Sequence, residues 1–377
     1  MSLYYFDNAA TTVLDEDVFN EMRPFMMINY GNPSSLYTLG KISKQAIEKS
    51  RSDIAKIINS KPSEIYFTSG GSESDNMAIK GIARAYKQKG NHIITSSIEH
   101  PAVLETCKDL EKEGFKITYL PVDQFGSINL KQLETSITPS TILISIMFAN
   151  NEIGTIEPIE SIGKIASKYN IPFHTDAVQA MGAIRIDVKE LNISALSFSA
   201  HKFYGPKGVG ALYISEDIDF QRLISGGHQE KEKRAGTENV AGIVGMSTAL
   251  NKSYANLTDH NTSIKNLRDY FLSEITKKFP DIKINGSILK RLPGNANISF
   301  RNRDRKKILD KLDSVNICAS AGSACSAGFL KQSHVLNAIG MPKDYSGNSL
   351  RITIGKYNTK EEVDFLIKTL AEIVPQC

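Results

Sequence analysis

The chain has no tryptophan, 13 prolines in 377 residues, four cysteines and no long apolar run. Each scarcity excludes something. The cysteines are Cys107, Cys318, Cys325 and Cys377, and no two form a C-x-x-C pair. So few in so long a chain make no disulfide framework. The longest apolar stretch, Ile142 to Ala149, is interrupted by Ser145. A membrane-spanning helix needs about 20 such residues. Met1 to Thr12 carry neither the basic start nor the apolar stretch of a signal peptide, so a soluble, cytoplasmic protein is expected. Charge is nearly balanced, with 45 Lys and Arg against 41 Asp and Glu. The net +4, spread over the whole chain, does not make a nucleic-acid-binding surface. The remaining composition, 41% hydrophobic and 23% charged, is that of a globular protein large enough to bury a substantial core.

Between about Lys61 and Tyr213 the sequence alternates strands and helices. Strands are predicted at 64–68, 92–96, 116–121, 141–148, 172–175, 195–199 and 210–214. Helices are predicted at 72–88, 102–113, 130–136 and 159–169. Continuous apolar strands separated by amphipathic helices predict an α/β fold with a mostly parallel sheet covered on both faces. Ligands of such sheets bind beyond the carboxyl ends of the strands. After Thr237 the pattern changes to a long helical stretch, 240–279, then short strands at 282–285, 296–300 and 351–354. That predicts a smaller α+β unit.

Three motifs fall at predicted strand ends. Thr68-Ser69-Gly70-Gly71-Ser72-Glu73-Ser74-Asp75 follows a strand and opens a helix. Its glycines allow close backbone approach, and its helix start favours a phosphate. Ser72 is expected to cap that helix, with Asp75 at the third position. Neither a Walker lysine nor G-x-G-x-x-G is present, so nucleotide binding is not supported. In His174-Thr175-Asp176-Ala177-Val178-Gln179, Asp176 ends a buried strand, where a carboxylate needs a cationic partner or caps a helix. In Ser199-Ala200-His201-Lys202, Lys202 sits between an apolar strand and a Gly/Pro turn. A lysine held there can form a Schiff base, although one seen alone more often reaches for solvent. Together, a phosphate-binding helix start, a strand-end Asp and a strand-end Lys are what pyridoxal 5′-phosphate requires.

With these three, the sequence resembles the cysteine desulfurases of the NifS/IscS type, in the class V aminotransferase group of fold-type I pyridoxal phosphate enzymes. The resemblance spans essentially the whole chain. It rests on Tyr5-Phe6-Asp7-Asn8-Ala9-Ala10-Thr11-Thr12, Tyr30-Gly31-Asn32-Pro33-Ser34-Ser35, Ser97-Ile98-Glu99-His100 and Ala149-Asn150-Asn151-Glu152-Ile153-Gly154-Thr155 as well. Arg234-Ala235-Gly236-Thr237-Glu238-Asn239 and Gly322-Ser323-Ala324-Cys325 complete it. It implies a large domain, 14–256, with a mostly parallel, seven-stranded type of sheet. A small domain, 1–13 and 257–377, carries the catalytic cysteine loop.

The resemblance also implies roles. Lys202 bonds the cofactor aldehyde and moves protons at the substrate Cα. Asp176 pairs with the ring nitrogen, and His100 stacks on the ring and handles the substrate thiol proton. Asn151 and Gln179 bond the ring hydroxyl side. Gly71, Ser72, Ser199 and His201 hold the phosphate, and Thr237 reaches the phosphate of a second subunit, which implies a homodimer. Asn32 and Arg351 take the substrate carboxylate, a group that suits a bidentate arginine. Ser72 stands where many relatives have Thr, and Ala235 where many have Ser.

Cys325 lies among small residues, Ala319 to Gly328. The incidental reading is a loose loop with a stray thiol; the functional reading is a thiolate on an arm that collects sulfur and delivers it. Cys318 is expected on a buried strand, Cys107 in a helix and Cys377 at the terminus, without chemistry. His228 and His334 have no partners at metal spacing, and no resident metal is expected; Cys325 is at most a transient iron–sulfur ligand. The basic run Arg301 to Lys307 reads as a solvated loop and helix start. The implied reaction converts L-cysteine to L-alanine and leaves a persulfide on Cys325, for a sulfur-acceptor protein such as an iron–sulfur scaffold. A selenocysteine lyase, a related pyridoxal phosphate transferase and a scaffold with little turnover are the alternatives.

Overall fold

The computed structural model describes residues 3–322 and 333–377. Cys325 lies outside the described residues, so its expected role has no structural test here. In chain order the strands are β1 (Tyr4–Tyr5), β2 (Ile65–Thr68), β3 (His92–Ser96), β4 (Lys116–Leu120), β5 (Thr141–Ser145) and β6 (Phe173–Asp176). They continue with β7 (Ala195–Ser199), β8 (Gly210–Ile214), β9 (Lys283–Ile284), β10 (Asn295–Ser299), β11 (Ile317–Cys318) and β12 (Ser349–Thr353).

Seven strands form one sheet in the order β2-β8-β7-β6-β5-β3-β4. Pairing is parallel from β7 across to β4, and β8 runs antiparallel to both β2 and β7. Strands β3, β5, β6, β7 and β8 are buried along their whole length. This is why they read as unbroken apolar runs rather than as alternating ones. One core cluster includes Phe173, Leu196 and Phe198, and another includes Met77, Ile79, Ile93 and Leu212. A separate cluster gathers Phe6, Phe271, Ile298, Ile352 and Leu366 around the small antiparallel sheet β12-β10-β9.

The run predicted as a strand over 141–148 ends at Ser145. Its pairing with β3 stops at Thr95–Ser145, while Ile146 and Phe148 continue to bond β6 carbonyls. The freed segment then turns into the site. The helical stretch 240–279 is two helices, Val240–Ala255 and Leu257–Lys278, meeting at Asn256. Cys318 is half-buried rather than buried. In the basic run, Asp304 caps the helix Arg305–Ser314 and Arg301 pairs with Asp344.

Candidate active site

The site begins at three chain reversals beyond the carboxyl ends of β2, β6 and β7. After β2, Gly70 adopts φ +154°, and the helix Gly71–Ala85 starts at once with no side chain capping it. The expected Ser72 cap is therefore corrected: Ser72 lies inside the first turn. The uncapped start leaves N–H groups for an anion. Gly71 is required by packing, because a Cβ there would meet Val178 Cγ2 at 2.6 Å. The helix start thereby seats directly on the turn that follows Asp176.

Asp176 is paired in register with Ser197 on the neighbouring β7. It is 5% exposed, and its Oδ1 accepts the Val178 N–H at 2.9 Å. Burial pushes its carboxyl above the ordinary value, against the pull of nearby His100, the Val178 N–H and Lys202. Asp75 lies beside it, 1% exposed, with Oδ1 lacking any hydrogen bond. Burial first, and then the Asp176 charge, push Asp75 well up. One atom each of Asp75, His100 and Asp176 lies within 4.8 Å of the others. Two buried carboxyls so close do not both ionise unless a cation joins them.

His174, below them on β6, has ring nitrogens bonded to Ser145 and Ser197 hydroxyls, and burial pushes it down to about 3. It is neutral, so its 3.7 Å approach to Asp75 is not an ion pair. His100 begins the helix Pro101–Lys112, and its Nδ1 accepts the Ala102 N–H at 3.1 Å. That leaves Nε2 to exchange a proton with a ligand.

Lys202 closes a short 3₁₀ turn after β7. Its Nζ donates to the carbonyls of Ala9 and Ala10 at 2.6 and 2.7 Å, and Gln179 Nε2 also donates to Ala9 at 3.0 Å. His201 bonds Thr11 Oγ1 through Nδ1 at 3.1 Å. Burial, then Lys202 and Lys207, push His201 down to about 4, so it meets a phosphate as a neutral hydrogen-bonding ring. From β12, Arg351 Nη2 bonds Asp7 and Nη1 bonds the Asn151 carbonyl, while Nε is buried without a partner.

These side chains meet in one cleft of about 770 Å³. Gly71, Ser72, His100, Asn151 and Asp176 line it, as do Gln179, Ser199, His201, Lys202 and Arg351. Asn32 and Thr237 do not line it: both are exposed, and Asn32 Oδ1 accepts the Ser34 N–H. A second cavity, about 920 Å³, adjoins Lys202 and Gln179 from another side but lacks Asp176 and the helix start. The chemistry therefore belongs to the first. Asp75 was not foreseen as a cleft residue; its spacing of four from Gly71, one helical turn, was the available signal. Glu230 is buried in a bidentate pair with Arg51 and accepts the Phe67 N–H.

The donor set fits pyridoxal phosphate. The uncapped helix start suits its phosphate, the buried Asp176 carboxyl beside the unpartnered Asp75 Oδ1 suits a cationic ring nitrogen, and Lys202 suits its aldehyde. Among the described cysteines, burial pushes Cys107 up to about 12 and raises Cys318, which suits neither as a nucleophile. No described helix is long and apolar enough to cross a membrane.

Fold and cleft together define an α/β protein of the aminotransferase type. The chain belongs to the aminotransferase class-V family, whose model matches residues 4–366. It is 50% identical over 374 residues to the cysteine desulfurase IscS of Clostridium botulinum, covering 99% of this chain and 94% of that relative. A solved NifS-like protein superposes with a TM-score of 0.94 at 39% identity, over 100% of both chains. Another, SspA in complex with cysteine, gives 0.82 at 38% identity, covering 94% of this chain and 100% of that one. The resemblance read from the motifs and the α/β fold with its mostly parallel seven-stranded sheet are both borne out.

Proposed function

We propose that this chain is a pyridoxal-phosphate-dependent cysteine desulfurase that moves the sulfur of L-cysteine onto Cys325 and releases L-alanine. The observation that carries the reading is the convergence of Lys202, Asp176 and the uncapped Gly71 helix start on one cleft. The names of the relatives support the same substrate.

When bound, the cofactor supplies an electron sink that loosens bonds at the substrate's Cα. The protein does the rest. Gly71, Ser72, Ser199 and His201 hold the phosphate, Asp176 keeps the ring nitrogen protonated, and Asn151 and Gln179 bond the ring hydroxyl side. Arg351 receives the substrate carboxylate and orients the substrate. Asn32 is proposed to assist it. Lys202 takes and returns the Cα proton, and His100 accepts the thiol proton. The Cys325 thiolate attacks the substrate sulfur. Its S–S bond forms as the C–S bond breaks, and a proton returns to carbon to give alanine. The sum is cysteine plus a thiol giving alanine plus a persulfide, balanced without an external oxidant.

The active form is proposed to be a cytoplasmic homodimer that passes sulfur to an acceptor protein such as an iron–sulfur scaffold. Met26, Met27, Ile28, Tyr30, Leu36 and Tyr37 are large apolar side chains left exposed within one stretch of sequence, which a second copy would cover. Thr237 is exposed, three residues along the chain from Arg234, which is fixed to the helix start through Glu73 at 2.8 Å. The separate core around Phe6 supports dividing the chain into 14–256 and 1–13 with 257–377. Exposure to L-cysteine, followed by measurement of alanine and of persulfide on the protein, tests the reading; neither product forming would refute it.

A further inference from the structure

Strands β3 and β5 pair only as far as Thr95–Ser145, and beyond that point a buried side chain takes over from the sheet. Ile146 and Phe148 turn their N–H groups towards β6, bonding the His174 and Asp176 carbonyls at 3.1 and 2.8 Å. Extended chain alternates, so the Met147 N–H points the other way, to the place a continuing β3 would fill. The Glu99 carboxyl receives it: Oε1 accepts the Met147 N–H at 2.9 Å. The same oxygen accepts the hydroxyl of Ser96, the last residue of β3, at 2.6 Å. Ser96, Glu99 and Met147 are all buried.

The next residue along the chain is His100. It precedes the helix Pro101–Lys112, whose first position is a proline, and its Nδ1 accepts the Ala102 N–H at 3.1 Å. The imidazole therefore moves with the helix start, and the helix start goes where the turn 96–99 puts it. Two carbonyls of that turn are held as well: Ile98 accepts Asn150 Nδ2 at 2.9 Å, and Glu99 accepts His334 Nε2 at 3.0 Å. The segment 146–151 is fixed independently, by Phe148 on β6 and by the Asn150 N–H on the Thr155 carbonyl at 2.9 Å. The Glu99 carboxyl thus spans from the turn that carries His100 to the segment that carries Met147, Ala149 and Asn151, and all four of these residues line the cleft.

We propose that Glu99 is a positioning residue for the reaction: its carboxyl sets the distance between the His100 turn and segment 146–151, and so places the His100 imidazole against cofactor and substrate. This rests on the reading of His100 as the residue that stacks on the cofactor ring and accepts the thiol proton. Removing the carboxyl strands two buried donors, the Met147 N–H and the Ser96 hydroxyl, and the turn shifts to find them partners. A misplacement of about 1 Å at a reacting group costs up to about a hundredfold in rate. A glutamine in the same place offers one amide oxygen to the same two donors.

The test is a double-mutant cycle on the holoenzyme, with alanine formation from L-cysteine measured per bound cofactor in the presence of a reducing thiol. The visible circular dichroism of the bound cofactor, recorded without substrate, reports the surroundings of its ring and needs no turnover. Glu99→Ala should lower kcat at least about tenfold, leave KM within about threefold because Arg351 keeps its partners, and alter the dichroism. Glu99→Gln should bring kcat back to within about twofold of wild type and restore the dichroism. In a His100→Ala background, Glu99→Ala should change kcat by less than about threefold and leave the dichroism as His100→Ala alone sets it, because the group it positions is gone. An effect in that background as large as in the wild type, or no effect in either, overturns this inference alone. If Glu99→Ala does not fold, Glu99→Asp, whose carboxyl falls one methylene short, takes its place in the cycle. If neither folds, Glu99 serves the fold rather than His100, and the inference falls. No alanine from L-cysteine in the wild type overturns the functional reading and this inference with it.

Discussion

Arg351 Nη2 donates to Asp7 Oδ1 at 2.7 Å, joining β12 to the turn that also supplies the carbonyl partners of Lys202. The guanidinium lines the cleft, with Nη1 on the Asn151 carbonyl and Nε without a partner. Arg351→Lys keeps the charge but loses the fork that matches a carboxylate. We expect KM for L-cysteine to rise about tenfold to a hundredfold with cofactor absorbance intact, measured by steady-state alanine production. An unchanged KM would remove Arg351 from substrate binding.

Lys202 is the only lysine among the described residues lining this cleft, and so the one placed to bond the cofactor aldehyde. Lys202→Ala should therefore lose the visible absorbance of lysine-bound cofactor and all turnover, while circular dichroism stays native. A wild-type visible spectrum in that variant would contradict the assignment.

Gly71 packs against Val178 with no room for a methyl group. Gly71→Ala should lower stability by about 1–3 kcal/mol, as overpacking does. It should also weaken cofactor binding by at least about tenfold, because the helix start and the Asp176 turn move apart. Equilibrium dialysis of the cofactor checks this; unaltered affinity would show that the contact is not part of the binding geometry.

Glu99 gives a pH signature. It is fully buried; Oε1 accepts from Ser96 Oγ and Met147 N–H, and Oε2 is unpartnered. Burial pushes its carboxyl up to about 8. The folded protein thus holds a proton that the unfolded chain releases near the ordinary carboxyl value of about 4.5. The stability Glu99 contributes is fully present below that value and is lost as pH rises towards 8. Glu99→Gln cannot ionise, so its stability relative to wild type should climb between these limits, at up to about 1.4 kcal/mol per pH unit. Urea denaturation of both proteins from pH 5 to 8 measures the difference, and a flat difference would contradict a protonated Glu99.

The sequence made the large sheet legible because its strands are buried on both faces and bounded by turns. The bounds of β3, β7 and β8 match those read from the pattern. Gly71, Asp176 and Lys202 were legible for a related reason: each stands at a strand-to-turn junction, where backbone chemistry leaves a local trace. Glu99 leaves none, and Asp75 only its helical spacing from Gly71. A buried carboxyl inside a helix or turn looks like any solvated acid until tertiary packing removes the water. The end of β5 at Ser145 was equally invisible, because the apolar run continues after its β3 partner has stopped. Asn32 and Thr237 were named only through the family resemblance, and both lie exposed, away from the cleft lining.

The most direct test of sulfur transfer to Cys325 is mass spectrometry of the wild-type holoenzyme after brief exposure to L-cysteine. The account predicts one added sulfur on the peptide containing Cys325 and none on those containing Cys107, Cys318 or Cys377. Cys325→Ala should bind cofactor and substrate yet form no persulfide. An unmodified Cys325 peptide, or alanine produced by Cys325→Ala at the wild-type rate, would contradict it.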